Sequence, residues 1–590
     1  GEVRNSPEVT LLNQRHSNTP GIVSDSAGEG IYLPAGSYYP YTENDMADFD
    51  ITVSVPKDIT VITSGKYIPI NSGEGANHTV RYTSELPADE FILVGGRYVL
   101  KDTTVDGRKF GVYMFKDSPL AVKYLSAVVN DYLLYTKLLG PYPYSSFSIV
   151  ENFFATGFGM PGYTLLSNKL MAMPWVTLMP GSLPHEFVHN WWGNSVYVNY
   201  DMGNWCEALT TFCSNYYHNI LTGKPDQALD WRKKALIAVN ELPESANYPV
   251  ARFKYQKNND DATIGYQKGG FIFYELMKLT GEKTFFASLQ KFAAKYKGKR
   301  AGWMSLLSTF DAQCKADSSS VPAIKVLSQW LNSSSVPTLT LGKALQENGK
   351  LNFSIDQDGV YLMSVPIVMD YGDSKEKVYF TIREQTNNFS VDLKKPVRSV
   401  TLDPDYECLR KLCKWEIPYT FNLTLTDKPL LVLPGRNTQA YPLMEQFVSL
   451  MKESGYDFEA RPADELKDAD WKERSIVVVG DQSANPFLKN ILNKLPGGVA
   501  INDTAFLVNG RSLSAADNMM LLNYAHPTAK DKFMTVIYIS NPSNVDPFRR
   551  LFRYLSYSML VVSKTKAGMP QAQMELFPTV GNKEKMVVEF

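Results

Sequence analysis

The segment GSLPHEFVHNWW, residues 181–192, places His185, Glu186 and His189 within five positions of a chain that holds only six histidines. On an α-helix, residues four apart stand one turn apart on one face, so both imidazoles could reach a single metal ion. Zinc takes imidazole nitrogen at about 2.0 to 2.1 Å and, in catalytic sites, keeps three protein ligands and one open position for water. Glu186, next in sequence to the first ligand, could accept a proton from that water as general base. A surface helix could carry the same five letters by chance, and a third ligand at sensible range would decide.

Downstream lies GNWCEALTTFCSNYYHNILTG, with small and polar residues at its start, apolar residues at helical spacing, and Gly223 after its last turn. This predicts a second helix with Glu207 in its first turn. A carboxylate among Trp205, Cys206, Leu209 and Phe212 is an awkward buried charge unless a cation balances it. Alone, Glu207 could equally be a solvated acid favoured by the helix dipole. Beside the two upstream histidines it becomes a candidate third ligand.

HEFVH followed by Glu207 resembles the gluzincin zinc peptidases, and HEFVHNWWGN with NWCEALTTF resembles specifically the aminopeptidase N family, which includes the bifunctional leukotriene hydrolase. The resemblance implies one Zn2+ per chain held by His185, His189 and Glu207, with Glu186 as catalytic base. The loop from residue 190 to 206 is one residue shorter than in most of the family, in a stretch where a deletion can be absorbed. A further match is DATIGYQKGGFIFYELM, where Tyr266, followed by Lys268 and Gly269, takes the place of the tyrosine that stabilises the tetrahedral intermediate. With 34 tyrosines in the chain, that role rests on the motif and not on residue type.

One family signature is broken. Typical members carry a GxMEN segment whose glutamate grips the substrate's amino group while its backbone pairs with the peptide as an added strand. Here FFATGFGMPGYTLL keeps Gly157, Phe158, Gly159 and Met160 as the expected substrate-binding edge strand. Pro161 stands in place of the glutamate, and Gly162 in place of the asparagine. A buried carboxylate bonded to an ammonium contributes about 1.5 to 3 kcal/mol and sets how many residues precede the scissile bond. Its loss predicts weaker dependence on a free substrate amine, unless another acid, from the N-terminal domain for instance, reaches into the cleft. Glu151 lies upstream of the strand, with nothing in the sequence to direct it there.

The elements that must position these residues give a multidomain α+β chain. Residues 1–100 alternate apolar and polar positions, as in FDITVSVPKDITVITSGKY and EFILVGGRYVL, and read as part of a β-rich N-terminal domain. Its earlier strands are expected to be missing, with residues 1–30 a connecting segment left by truncation or processing. Residues 101–334 follow the thermolysin-like order implied by the resemblance: strand RKFGVYMF, a long amphipathic helix, the edge strand, the metal helices, and further helix to IKVLSQWLNSS. After the linker SSSVPTL, strands spaced as a small β-sandwich occupy residues 335–417. Residues 418–590 alternate strands such as PLLVLPG and SIVVVGD with helical stretches including NPFLKNILNKL and VDPFRRLFRYLSYSML, which predicts an open α/β domain. Gly435 and Gly480 fall at strand ends, where such sheets bind ligands, yet neither segment carries a nucleotide fingerprint. A structural or partner-docking role is expected for this domain.

Composition narrows the classes. With 60 basic and 61 acidic residues, nothing in the charge balance marks a nucleic-acid or anionic-membrane partner. No apolar run is long enough for a transmembrane segment, and GEVRNSPEV is not a signal peptide, as expected for a mature or trimmed chain. The five cysteines fit no zinc ribbon. Cys206 and Cys213 read as core residues, whereas Cys408 and Cys413 could pair or stay reduced. The glycosylation triplets NHT at 77 and NLT at 422 are no more frequent than chance, and an extracytoplasmic location, periplasmic or secreted, is preferred to a cytoplasmic one. The expected function is hydrolysis of peptide substrates, aminopeptidase-like with an altered amine anchor. The alternatives are an endopeptidase, a zinc-containing peptide-binding protein with little turnover, and a metal-free scaffold. Glu186 and Tyr266 argue against the last two, which have no need of a base or an oxyanion donor.

Overall fold

The computed structural model describes residues 22–24, 30–42, 45–70, 75–318, 321–540, 542–552, 554–565, 569–578, 583 and 586–590. Most of the expected connecting segment, residues 1–30, lies outside them. The chain is mixed α/β and divides into two compact units, Gly1–Lys411 with Met586–Phe590, and Leu412–Lys585.

The first unit opens with two small sheets. One takes the order Val23–Ser24, Gly30–Leu33, Leu93–Gly96, Thr60–Thr63, and the other Asp50–Pro56, Asn77–Thr83, Lys66–Ile70. Alternation is the reason they pack: in Asp50–Pro56 the residues Ile51, Val53 and Val55 point one way, toward Val61, Val80 and Phe91. The strand Val99–Val105 crosses the expected boundary at residue 100. It pairs with Arg108–Met114 as the outer strand of the next sheet and so belongs with the site's scaffold.

That next sheet has five strands in the order Gly157–Met160, Tyr163–Ser167, Ser146–Asn152, Arg108–Met114, Val99–Val105. Gly157–Met160 is therefore an edge strand, antiparallel to its single neighbour. Pro161 and Gly162 form the two-residue connection of this hairpin, since Met160 pairs directly with Tyr163. Proline presets φ for the first central position of such a turn, and Gly162, at φ 80°, supplies the positive φ of the second. The long helix Leu120–Leu139 packs on this sheet through buried Tyr124, Val128 and Tyr132.

Helices fill the middle of the unit, and a β-sandwich closes it. Its two four-stranded sheets meet through Phe353 and Phe389 of one and Phe380 of the other. Its outer strand is Val587–Glu589, from the end of the sequence, paired with Ser399–Leu402. These residues were expected in the α/β domain.

The second unit is built on a seven-stranded sheet whose first four strands, Glu459–Pro462, Leu430–Leu433, Ile476–Gly480 and Phe533–Tyr538, are parallel. Both faces are covered, with Leu430 and Val432 packing to one side and Leu431 and Leu433 to the other. The helix expected in NPFLKNILNKL is instead two short 3₁₀ turns, Pro486–Asn490 and Leu492–Lys494. The last helix is only Asp546–Leu551, because Met559–Ser563 pairs as a strand with residues 518–522. Among the described residues, no helix is long and apolar enough to cross a membrane. None of the five cysteines is in a disulfide, and Cys206, Cys213 and Cys408 are buried.

Candidate active site

The helix Leu183–Val188 carries His185 and Glu186, and His189 caps its C-terminus at helical dihedrals, so the four-residue spacing brings both imidazoles to one face. Glu207 enters from the first turn of Cys206–Thr211, which runs on through a π-helical turn, Phe212–Tyr217, into His218–Leu221. The Oε2 atom of Glu207 lies 3.3 Å from Nε2 of His185 and 3.5 Å from Nε2 of His189, and one donor atom from each residue lies within 4.8 Å of the others. Tetrahedral zinc with ligands at 2.0 to 2.1 Å would hold its donors about 3.3 Å apart. The donor set and spacing therefore fit the ion.

The second nitrogen of each ring is engaged, which fixes how the rings point. Nδ1 of His189 lies 2.9 Å from the carbonyl oxygen of Trp192, and Nδ1 of His185 lies 3.2 Å from Oγ of Ser214. Burial opposes ionisation of Glu207, but the charges and hydrogen bonds of His189 and His185 outweigh it and hold the carboxyl well below its usual range.

Glu186 is half-buried beside this cluster, and its carboxyl is raised, first by burial and then by the charge of Glu207. The backbone N–H of Gly159 donates to it. A Cβ at residue 159 would come within 2.8 Å of the Oε2 atom of Glu186 and 3.2 Å of Cβ of His189. Gly159 was expected to bind substrate. Its observed contacts make it the seat of Glu186, and its carbonyl is taken by the Asn194 amide at 3.0 Å.

Tyr266 lies on a second π-helical turn, Thr263–Lys268, with its ring stacked on His185 at 6.1 Å between centroids. Its hydroxyl is pushed far above the usual tyrosine range by burial and by the charges of Glu207 and Glu186, so it stays a proton donor. The rest of the motif is structural. Lys268 is fully buried, and its ammonium donates to the carbonyls of Ser333 and Ser334 at 3.3 and 2.6 Å. A Cβ on Gly269 would meet that of Ala208 at 2.6 Å, so glycine permits the helix Gly269–Thr280 to lie against the Glu207 helix.

All of these residues line one cleft of about 1940 Å³ in the first unit, together with Gly157, Phe158, Gly159 and Met160. Pro161 does not line it, and Glu151 is committed elsewhere, its Oε2 accepting from the N–H of Phe115 at 2.8 Å. Two residues were missed at the sequence level. Asn190, fully buried just after the second histidine, accepts from the Gly162 N–H at 2.9 Å and so pins the hairpin turn to the metal helix. Glu90, from the N-terminal sheets, reaches the cleft wall.

Residues 141–330 match the Peptidase family M1 domain. No curated protein matches the chain. Among solved structures, aminopeptidase A of Legionella pneumophila, in complex with aspartic acid, has a similar fold, with a TM-score of 0.51 and 15% sequence identity over 73% of this chain. The matched region spans about half of that protein, 53% of its length, and the likeness is one of fold. Through the domain at residues 141–330, which holds HEFVH, Glu207 and Tyr266, this chain belongs to peptidase family M1.

Proposed function

We propose that this protein is a zinc-dependent peptidase that works in the manner of an aminopeptidase, with the substrate's amine held by a group other than an acid on the edge strand. The observation that carries this reading is the convergence of His185, His189 and Glu207 with Glu186 and Tyr266 in one cleft of a family M1 domain. Zinc, held by His185, His189 and Glu207, would polarise the scissile carbonyl and make water a stronger acid.

Glu186 takes the proton from the attacking water and passes it to the departing amine. Its raised pKa keeps it a useful base and acid in turn, and the Gly159 N–H fixes its direction. Tyr266 donates a hydrogen bond to the oxygen on which negative charge develops. The peptide lies along Gly157–Met160, the edge of the five-stranded sheet, where an extended chain can add as a further strand.

An endopeptidase mode is the second reading, and it rests on Pro161, which offers neither a carboxylate nor a backbone donor. Digestion of one peptide in free and N-acetylated forms, with products identified by mass spectrometry, separates the two. Release of single N-terminal residues from the free form alone supports the aminopeptidase mode, and internal cuts in both forms support the other. No cleavage of any peptide by zinc-loaded protein overturns the function itself.

A further inference from the structure

Five acids line the cleft: Asp89, Glu90, Glu186, Glu207 and Asp230. Four have partners. Asp89 is bonded to Arg300 at 2.9 Å, Asp230 to Lys234 at 2.8 Å, Glu186 to the Gly159 N–H, and Glu207 to the two histidines. Among the described residues, no hydrogen bond or ion pair holds the carboxylate of Glu90. Water can reach it through the cleft, yet the surrounding protein and the neighbouring Asp89 push its pKa up to about 7. A carboxylate left in that state is stabilised by any cation that enters.

The segment that carries Glu90 is fixed on every side. Ala88 bridges to Ala47, and the Asp89–Arg300 pair ties it to the strand Lys299–Ala301. Phe91 is held through its N–H and carbonyl by the hydroxyls of Tyr39 and Tyr38, both at 2.9 Å. The carbonyl of Ile92 accepts from the Tyr163 hydroxyl at 3.3 Å. Tyr163 is the residue paired with Met160, directly before Pro161. Arg300 also bonds the carbonyl of Val198, two residues before Tyr200, at 3.0 Å. The hydroxyl of Tyr200 is raised by burial and by the charges of both Glu207 and Glu90, which places that hydroxyl within electrostatic reach of the metal cluster and of Glu90 together. Glu90 is thus held rigidly between the edge-strand hairpin and the loop that leads to Glu207.

We propose that Glu90 is the residue that receives the α-ammonium group of the peptide, from the N-terminal side of the cleft and in place of an acid on the edge strand. This deepens the peptidase reading and rests on it. Seating the first residue's ammonium at Glu90 leaves the following peptide bond to run past Glu186, which limits cleavage to the chain's end.

The test compares wild type with Glu90→Gln, an isosteric change that removes the charge, at equal zinc content. The substrates are one peptide with a free N-terminus, its acetylated form, and an acetylated form that begins with lysine. The expected result is a KM for the free peptide raised roughly tenfold or more, with kcat little changed and the acetylated peptides unaffected. An equal effect on free and acetylated peptides, or none, overturns the proposal. A loss confined to the acetylated lysine peptide also overturns it, by assigning Glu90 to a side-chain ammonium.

A second arm needs no turnover. Calorimetric titration of Glu186→Gln protein with leucinamide and with N-acetyl-leucinamide should show tighter binding of the free amine, and adding Glu90→Gln should abolish the difference. If wild type cleaves nothing, the peptidase reading fails and this arm still decides the role of Glu90. If wild type cleaves peptides and the amine preference survives in Glu90→Gln, only the Glu90 assignment fails.

Discussion

The two walls of the cleft are built on different principles. On the helical wall, three metal-binding side chains and a base are each fixed by a partner: the Trp192 carbonyl and Ser214 hydroxyl behind the imidazoles, the Gly159 N–H behind Glu186. The strand wall, Gly157–Met160 and its Pro161–Gly162 turn, offers backbone and a tight corner but no charged side chain. Reaction chemistry and recognition of the substrate's end are therefore housed separately. The strand wall can hold a peptide in register, and the charge that recognises its terminus has to come from another element.

The largest effect that would sharpen this contrast is expected at Glu186. Replacement by glutamine should leave zinc bound and lower kcat by about 10²- to 10⁴-fold, because an amide cannot accept the water's proton. Metal analysis beside steady-state kinetics checks both halves. Retained turnover would place the base elsewhere. Tyr266→Phe should follow, with a loss of roughly a hundredfold or more in kcat and zinc unchanged.

Gly159→Ala crosses from one wall to the other. The added methyl falls 2.8 Å from Oε2 of Glu186, so this strand substitution should depress kcat by about tenfold or more through loss of base alignment. A change in KM alone would mean that Gly159 serves substrate and not Glu186.

The smallest effect concerns an acid used only for packing, and it separates structural carboxyls from working ones. Glu275, fully buried on the helix behind Glu207, accepts from the Leu409 N–H at 2.6 Å, and burial pushes its pKa up to about 8. The folded protein keeps a proton here that the unfolded chain gives up near pH 4.5, so this group's contribution to stability declines as pH rises from about 4.5 to 8. Glu275→Gln keeps the acceptor and cannot ionise. Its thermal midpoint should fall less between pH 5 and pH 8 than that of wild type, by roughly 2 °C or more, with kinetics unaltered at neutral pH. Identical slopes would contradict the assignment.

The helical wall was legible in the sequence because its chemistry is local. HEFVH needs only one turn of helix to align His185 and His189, and Glu207 and Tyr266 lie in segments whose neighbours mark them. The strand Gly157–Met160 was legible for the same reason. What escaped depends on tertiary contact. Glu90 reaches the cleft only because Arg300, Tyr163 and two other tyrosines hold its loop there, and no periodicity reports that. The role of Gly159 as the seat of Glu186 follows from a helix passing close to a strand. In the second unit, residues 486–494 have the composition of a helix but form two 3₁₀ turns between Pro486 and Pro496, too short a span for pattern to outweigh packing. Val587–Glu589 joined the sandwich by pairing with a strand nearly two hundred residues earlier, a match set by edge availability and not by sequence neighbours.

The central claim is that peptide hydrolysis depends on zinc at His185, His189 and Glu207. It is tested most directly by stripping the protein with a chelator and following cleavage of an unmodified peptide as zinc is returned. The account predicts activity that rises in proportion to zinc and levels off at one equivalent per chain, with no recovery in His185→Ala/His189→Ala. Full hydrolysis by the stripped protein, or full recovery in the double variant, would contradict it.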